Sequence, residues 1–254
     1  MRIEEIEEWR KKVEDHLGVE IKEKREFPPE DIPQEEEAVQ QFLARHIDYT
    51  LLKPHATLEE VEDLCQEAQE WNFWGVSVNP FYVSACAHLL RGTKIVVVAV
   101  AGFPLGQNKP EIKAREARLA FQEGAREVDM VINLGVLKNG DWKLVYQDIR
   151  GVVEEVPRGI VKVILENCYL SPEEKVVGCL IAQAAGAHFV KTSTGFGSGG
   201  ATVEDVELMR RVVGESMGIK AAGGIRSREV ALQMIKAGAN RLGTSSGVKI
   251  MKGE

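Results

Sequence analysis

The sequence lacks the features that mark membrane, secreted and nucleic-acid-binding proteins. It contains no run of 18 apolar residues, and its charged first residues are not those of a signal peptide. Its four cysteines form no C-x-x-C pair, which favours reduced thiols over disulfides. It also has no basic stripe with interleaved aromatic residues. We therefore expect a cytoplasmic protein with no membrane and no nucleic-acid partner.

The chain of 254 residues, 44% hydrophobic and 28% charged, has the composition of a globular protein and suffices for one large domain. Residues 1–37 carry 14 acidic and seven basic side chains, so this segment accounts for the whole net charge of −7. Apolar side chains recur there at helical spacing, at Ile3, Ile6, Trp9, Val13 and Leu17. The stretch "FPPEDIPQEEE" follows and is typical of a linker. We predict an accessory segment over 1–37, with an amphipathic helix packed on its own chain rather than on a partner subunit, and a main domain over 38–254.

Apolar, strand-like runs alternate with amphipathic helical windows from residue 46 onward. Helix start signals stand between them, as at Thr57, Ser171 and Ser227, and glycines follow several of the windows. Eight strands alternating with helices favour a (β/α)8 TIM barrel, an α/β fold, over the alternative of a doubly wound sheet. The predicted strands cover residues 46–51, 75–78, 94–101, 127–133, 160–166, 188–192, 219–222 and 241–244.

The segment "GFGSGG" (195–200) matches the G-x-G-x-x-G fingerprint of dinucleotide-binding proteins, since it follows a strand and precedes a helical window. Two features argue against a nucleotide. The motif lies late in the chain rather than after the first strand. The next strand, "GIKAAGG", ends in glycines where the fingerprint requires an acidic residue. We therefore favour a different role for these glycines.

Three of the predicted strands carry a lysine among apolar residues. Lys162, Lys191 and Lys220 are spaced 29 residues apart, so one lysine recurs in each of three successive βα units. Asp129 stands in a similar apolar context one strand earlier. Any one of these charges could form a structural ion pair, but four in consecutive units indicate a shared site.

A site of this kind can perform covalent chemistry. Burial and a neighbouring cation both lower the pKa of a lysine, and a neutral lysine amine can form a Schiff base with a carbonyl compound. The iminium then accepts electrons from a nearby carbon–carbon bond, provided that a base such as Asp129 moves the protons. The lysines thus indicate an enzyme that breaks or forms carbon–carbon bonds.

Two loops after the last predicted strands are suited to an anion. "AAGGIRS" puts Gly223 and Gly224 at the end of the seventh strand, and "LGTSSGV" puts Gly243, Ser245 and Ser246 after the eighth. Barrels commonly bind phosphate at this position through backbone N–H groups and helix N-termini, although the same residues also serve ordinary turns. Because the loops neighbour the lysines, they favour a phosphorylated substrate.

Seven segments together resemble the 2-deoxyribose-5-phosphate aldolase family, in order over about residues 42–250. They are "IDYTLLKP" (47–54), "AGFPLG" (101–106), "EVDMVIN" (127–133), "VKVILE" (161–166), "VKTSTGFGSGGAT" (190–202), "KAAGGIR" (220–226) and "GTSSG" (243–247). The resemblance implies a class I aldolase that uses no metal or other cofactor. Such an enzyme reversibly cleaves 2-deoxy-D-ribose 5-phosphate into acetaldehyde and D-glyceraldehyde 3-phosphate during deoxynucleoside breakdown.

The resemblance also implies roles for single residues. Lys191 matches the Schiff-base lysine, Lys220 the lysine that lowers its pKa, and Asp129 the aspartate that transfers protons through water. The positions that match substrate contacts are Asp48, Thr50 and Lys162, together with the phosphate-loop residues Gly195, Gly223, Gly224, Arg226, Gly243, Ser245 and Ser246. The implied ligands are a small phosphorylated sugar and aldehydes, and we expect a homo-oligomer.

Two other functions stay open. A metal-dependent aldolase or isomerase would need clustered ligands, whereas the five histidines are scattered along the chain without ligand spacing. A non-catalytic protein that binds a sugar phosphate would use the glycine and serine loops but would have no use for the lysines.

Overall fold

Eight parallel strands form a closed barrel, in which each strand pairs with the next along the chain and the last strand pairs with the first. The computed structural model describes residues 1–23 and 26–253. The strands are β1 (Ile47–Leu51), β2 (Gly75–Val78), β3 (Val96–Ala101), β4 (Glu127–Val131), β5 (Ile160–Ile164), β6 (Phe189–Lys191), β7 (Gly218–Ala222) and β8 (Arg241–Thr244). The predicted (β/α)8 barrel is therefore confirmed, and the alternative of a doubly wound sheet is wrong.

Helices pack around the outside of the barrel, and apolar side chains between the two layers form the core. In the described ranges they are α1 (Ile3–Leu17), α2 (Glu36–Ala44), α3 (Leu58–Glu70), α4 (Val83–Leu89), α5 (Pro110–Glu123), α6 (Leu134–Lys138), α7 (Trp142–Glu155), α8 (Pro172–Ala184), α9 (Val203–Val213), α10 (Arg228–Lys236) and α11 (Gly247–Lys252). Short 3₁₀ turns, Pro80–Tyr82 and Asn167–Tyr169, follow β2 and β5.

Local sequence signals explain where several helices begin. The hydroxyls of Thr57 and Ser171 each accept a hydrogen bond from the backbone N–H three residues later, which completes a capping box. Asn133 caps α6 in a related way, because its side chain accepts a hydrogen bond from a backbone N–H of the first helical turn. This cap explains why β4 ends at Val131 and not at residue 133, the predicted end of the strand.

The predicted N-terminal helix is present as α1 and packs against α7 and α8. Ile6 and Val13 are buried, and the ring of Trp9 lies 6.3 Å from that of Trp142, measured between centroids. Ile3 is 67% exposed and does not belong to the packing face, although it falls on the predicted apolar stripe. Ile3, the first residue of the helix, therefore contributes little to its attachment.

The segment after α1 reaches the amino-terminal end of the barrel. The ring of Phe27 lies 4.8 Å from that of Phe189, the first residue of β6, and Asn240, just before β8, donates to the Pro28 carbonyl at 3.0 Å. Helix α2 begins at Glu36, so it crosses the predicted boundary between residues 37 and 38. The division of the chain at that point stays a prediction.

No helix in the described ranges is both long enough and apolar enough to cross a membrane. The four cysteines are free thiols. Three of them are buried, whereas Cys168 is exposed.

Candidate active site

A cavity of about 660 Å³ lies at the carboxyl-terminal end of the barrel, where β1, α3 and the loops after β6, β7 and β8 form its wall. Active sites of (β/α)8 enzymes lie at this end. Ser246 was predicted to contact the substrate, but it does not line the main cavity. It borders a smaller neighbouring hollow together with Lys249 and Lys252. The predicted substrate contacts that do line the main cavity are Thr50, Gly195, Gly223, Gly224, Arg226, Gly243 and Ser245.

Seven charged side chains point into the barrel beneath this cavity, and we call them the charged cluster. Its members are Asp48, Glu127, Asp129, Lys162, Lys191, Lys220 and Arg241. None of the seven is more than 6% exposed. Strand register aligns Lys191, Lys220 and Arg241 side by side on β6, β7 and β8. Because adjacent like charges repel, this row of cations requires anions between them.

The Asp129 carboxylate supplies one such anion and joins three lysines. Its Oδ2 lies 2.8 Å from both Lys191 Nζ and Lys220 Nζ, and its Oδ1 lies 2.8 Å from Lys162 Nζ. The sequence predicted that these four residues share a site, and the structure brings them together. The 29-residue spacing thus corresponds to one inward-facing lysine on each of three neighbouring strands.

Asp48 supplies a second anion, on β1. Its Oδ2 lies 2.5 Å from Lys220 Nζ, and its Oδ1 accepts a 2.9 Å hydrogen bond from Arg241. Asp48 was predicted to lie around the substrate. In the structure its carboxylate contacts other charges beneath the cavity and does not line the cavity wall.

Sequence reasoning missed three residues at the lower end of the cluster. Glu127 lies 2.5 Å from Lys162 Nζ and 3.1 Å from the Arg241 guanidinium, and it accepts a 2.9 Å hydrogen bond from the Trp74 indole N–H. One signal for Glu127 was available, because it stands two residues before Asp129 on the same strand and therefore on the same face. No comparable local signal marks Arg241 or Trp74.

The cluster holds Lys191 and Asp129 in complementary charge states. Burial lowers the pKa of Lys191 to about 8, and the opposing effect of Asp129 is partly offset by the Lys220 and Lys162 ammonium groups. Burial alone would raise the pKa of Asp129, but the three lysines outweigh burial and hold that pKa well below its ordinary value. A large fraction of Lys191 is therefore neutral near pH 8, while Asp129 is ionised.

Lys162, Asp48 and Glu127 stay ionised as well. The carboxylates around Lys162 raise the pKa of its ammonium group despite burial. In the same way, neighbouring cations lower the pKa of Asp48 and of Glu127 although burial opposes them. In contrast to these three residues, Lys191 changes its charge near pH 8.

Lys191 also differs from the other cluster residues in its access to the cavity. Of the seven, all of which the structure describes, Lys191 alone lines the cavity wall. Lys162 and Lys220 are completely buried beneath it. An amine with a lowered pKa that faces a cavity can add to a carbonyl group there, whereas its buried neighbours are placed to act on it rather than on a ligand.

Glycines shape the two loops that were predicted to bind phosphate. Gly223 and Gly224 have φ angles of 85° and 80°, in the left-handed region that favours glycine. A Cβ on Gly200 would overlap the Gly223 carbonyl, so the loops after β6 and β7 are in direct contact. Gly243 has a second role, because a Cβ there would come within 3.0 Å of the Lys220 side chain. It leaves room for that lysine in the barrel.

A buried glutamate anchors the loop after β6, and sequence reasoning assigned it no role. Glu166 is 3% exposed and accepts hydrogen bonds from the backbone N–H of Thr194, at 3.1 Å, and from its hydroxyl. Its own φ of 53° lies in the left-handed region. The carboxylate therefore fixes the start of a loop that forms part of the cavity wall.

Known proteins share sequence and structure with most of the chain. A deoxyribose-phosphate aldolase from Thermotoga petrophila is 55% identical over 221 residues, which cover 87% of this chain and 89% of that protein. A provisionally assigned deoxyribose-phosphate aldolase from Coccidioides immitis is 38% identical, with a TM-score of 0.84 over 99% of this chain and 97% of that one. The deoxyribose phosphate aldolase from Aeropyrum pernix, whose structure is tetrameric, is 32% identical, with a TM-score of 0.79 over 97% of this chain and 96% of that one.

The family comparison covers the whole barrel. The model of the DeoC/LacD family aldolases matches residues 39–253, which include all seven residues of the charged cluster and the loops that line the cavity. Together with the relative at 55% identity, this match settles the family. The chain belongs to the DeoC/LacD family of aldolases and is a carbon–carbon lyase.

Proposed function

We propose that this aldolase reversibly cleaves 2-deoxy-D-ribose 5-phosphate into acetaldehyde and D-glyceraldehyde 3-phosphate through a Schiff base on Lys191. The observation that carries the proposal is the setting of Lys191, a buried amine that lines a cavity and whose pKa is lowered to about 8. A neutral amine adds to an aldehyde, whereas an ammonium ion does not. The substrate follows from the relatives, which are deoxyribose-phosphate aldolases.

The bond changes follow from the chemistry of an amine and an open-chain aldose. Lys191 Nζ adds to the C1 aldehyde, and loss of water leaves a protonated imine. Removal of the C3 hydroxyl proton sends the electrons of the C2–C3 bond into the imine, which releases glyceraldehyde 3-phosphate and leaves an enamine. Protonation of C2 and addition of water then release acetaldehyde and restore the amine.

Asp129 is suited to relay the protons of this sequence. One oxygen of its carboxylate contacts both Lys191 and Lys220 at 2.8 Å, so a proton can pass between the two amines along it. When Lys191 is neutral, Asp129 faces one cation fewer and is a stronger base. Because Asp129 does not line the cavity, a water molecule has to complete the path to the substrate.

The phosphate is assigned to the loops after β7 and β8. Gly223, Gly224, Arg226 and Ser245 border the same cavity as Lys191, so one ligand can reach both the loops and the amine. Backbone N–H groups in glycine-rich loops of this kind commonly bind phosphate. Binding energy from the phosphate would hold the sugar in reacting position. Free 2-deoxyribose should therefore react with a kcat/KM at least roughly 10²-fold lower than its 5-phosphate.

Assembly into a homo-oligomer is part of the proposal. The relative from Aeropyrum pernix is tetrameric and matches 97% of this chain. Phe81 and Leu105 are 86% and 72% exposed, respectively, so apolar surface is available for a contact between subunits. Light scattering on the purified chain gives its mass directly, and a monomer at micromolar concentration would contradict this expectation.

Turnover in the presence of a chelator separates the proposal from both alternatives. The assay follows glyceraldehyde 3-phosphate released from 2-deoxyribose 5-phosphate, with and without excess chelator, for the parent and for Lys191→Met. We expect turnover that the chelator leaves unchanged and that the variant lacks. Loss of activity with chelator would favour a metal-dependent aldolase, and tight binding without turnover would favour a sugar-phosphate-binding protein.

A further inference from the structure

We propose that Arg241 and Glu127 are positioning residues for the aldolase reaction, which act on Lys191 through the charge balance of the cluster without touching the substrate. Both are almost completely buried, and neither lines the cavity. The inference rests on the proposed function, because it concerns how Lys191 is kept reactive. It assigns a role to the end of the cluster that is remote from the cavity.

The balance of charges in the cluster depends on the state of Lys191. The cluster contains four basic and three acidic side chains. With Lys191 neutral, three cations face three anions, whereas with Lys191 protonated one positive charge is in surplus. A surplus charge is unfavourable where the surroundings are dry and of low dielectric constant. Balance therefore favours the neutral, nucleophilic amine, because the other three cations lower the pKa of Lys191 while the three carboxylates limit how far it falls.

Arg241 is a permanent cation in this balance. Its Nη1 lies 2.9 Å from Asp48 Oδ1 and 3.1 Å from Glu127 Oε2, so it bridges two of the three carboxylates. Its guanidinium carbon lies 4.3 Å from the centroid of the Trp74 ring and 5.6 Å from that of Phe189. These aromatic faces stabilise the cation and restrict water. A guanidinium does not lose its proton in the pH range of the reaction.

The other titratable groups near Arg241 do not change the number of cations and anions in the cluster near pH 8. Burial lowers the pKa of His46, the residue before β1, and the Arg241 charge lowers it as well, so this ring is neutral near pH 8. Glu30 lies 3.4 Å from the His46 ring but is about half exposed, so solvent screens its charge. Lys162 and Asp48, which face the same region, stay ionised.

Geometry sets the size of the expected effect. Arg241 and Glu127 each lie two strands from Lys191, on β8 and β4, which is about 10 Å at the usual strand spacing. Two charges at that separation in a medium of effective dielectric constant about 20 shift each other's pKa by roughly one unit. Removal of the Arg241 charge should raise the pKa of Lys191, and removal of the Glu127 charge should lower it.

The test measures how the reactivity of Lys191 depends on pH in two variants of opposite sign. The initial rate of covalent trapping with acetaldehyde and cyanoborohydride is recorded from pH 6 to 10 for the parent, Arg241→Met and Glu127→Gln. The acid-side midpoint should move to higher pH by about one unit in Arg241→Met and to lower pH by a similar amount in Glu127→Gln. Arg241→Lys, which keeps the charge, should stay near the parent midpoint.

The outcomes distinguish this inference from the proposed function. If the parent forms no adduct on Lys191, the proposed function fails. The charge-balance role is overturned if the parent forms the adduct but Arg241→Met and Glu127→Gln both keep the parent midpoint or shift it in the same direction. A merely structural defect would lower the trapping rate without shifting the two midpoints in opposite directions. If Arg241→Met does not fold, Glu127→Gln decides alone, and a midpoint that is unchanged or higher rejects the inference.

Discussion

Two lysines are buried in this barrel in different ways, and the comparison shows what makes one of them reactive. Lys113 on α5 is completely buried, lies 2.5 Å from Asp148 of α7 and donates to the Val131 carbonyl at 2.9 Å. Lys191 on β6 is also buried, but it shares the carboxylate of Asp129 with two further lysines. Burial lowers the pKa of both amines.

The difference lies in charge balance and access, not in burial. Lys113 has one anion for one cation, and it does not line the cavity. Lys191 belongs to a cluster with more cations than anions and faces the cavity. A buried lysine is thus an ambiguous sign of function, whereas a buried lysine in cationic surroundings at the mouth of a barrel indicates a nucleophile.

The largest expected effect is on turnover. Lys191→Met should lower kcat by roughly 10³-fold or more, because the covalent route requires the amine. Lys113→Met is the matched control and should keep kcat per folded molecule within a few-fold of the parent. Steady-state rates normalised to folded protein test the pair, and a large loss of kcat in the folded Lys113 variant would remove the contrast.

The next largest effect is expected for Asp129→Asn, which should lower kcat by roughly 10² to 10⁴-fold because an amide cannot carry protons. The loss should persist across the pH range, since no protonation state of asparagine replaces a carboxylate. Recovery of activity in alkaline solution would show instead that Asp129 acts mainly through its charge on Lys191.

The two substitutions should rank in the opposite order when stability is measured, so that Lys113→Met has a larger effect on the free energy of unfolding than Lys191→Met. Lys113→Met leaves the Asp148 carboxylate buried without its partner and should reduce the free energy of unfolding by about 3–5 kcal/mol. Lys191→Met removes the surplus cation and leaves Asp129 in contact with Lys162 and Lys220, so stability should be unchanged or higher. Denaturant titrations of both variants check this, and equal destabilisation would contradict it.

The smallest expected effect is a shift along the pH axis. Lys220→Leu removes an ammonium group that contacts the same Asp129 oxygen as Lys191, so the pKa of Lys191 should rise from about 8 toward its ordinary value. Only the free amine reacts, so activity should fall near neutrality and partly return in alkaline solution. A pH–rate profile of parental shape but lower height would mean that Lys220 acts as a proton donor or substrate contact instead.

Local patterns predicted the barrel well because strand and helix signals are contained within short windows. The spacing of Lys162, Lys191 and Lys220 indicated three of the seven residues of the charged cluster, since each βα unit repeats the same inward position. Arg241 was missed because it is the first residue of its strand, where a charge ordinarily reaches solvent. Its contact with Asp48 arises only when β8 closes onto β1, between residues 193 positions apart. Closure of the barrel is a tertiary event that no short window contains.

The most direct test of the account is a map of which lysines form a Schiff base. The parent protein is incubated with acetaldehyde, reduced with borohydride, digested and analysed by mass spectrometry, with Lys113, Lys162 and Lys220 as internal comparisons in the same sample. We expect the reduced adduct on Lys191 and no modification of the other three lysines. An adduct on Lys162 or Lys220 in place of Lys191, or an equal degree of modification on Lys113, would contradict it.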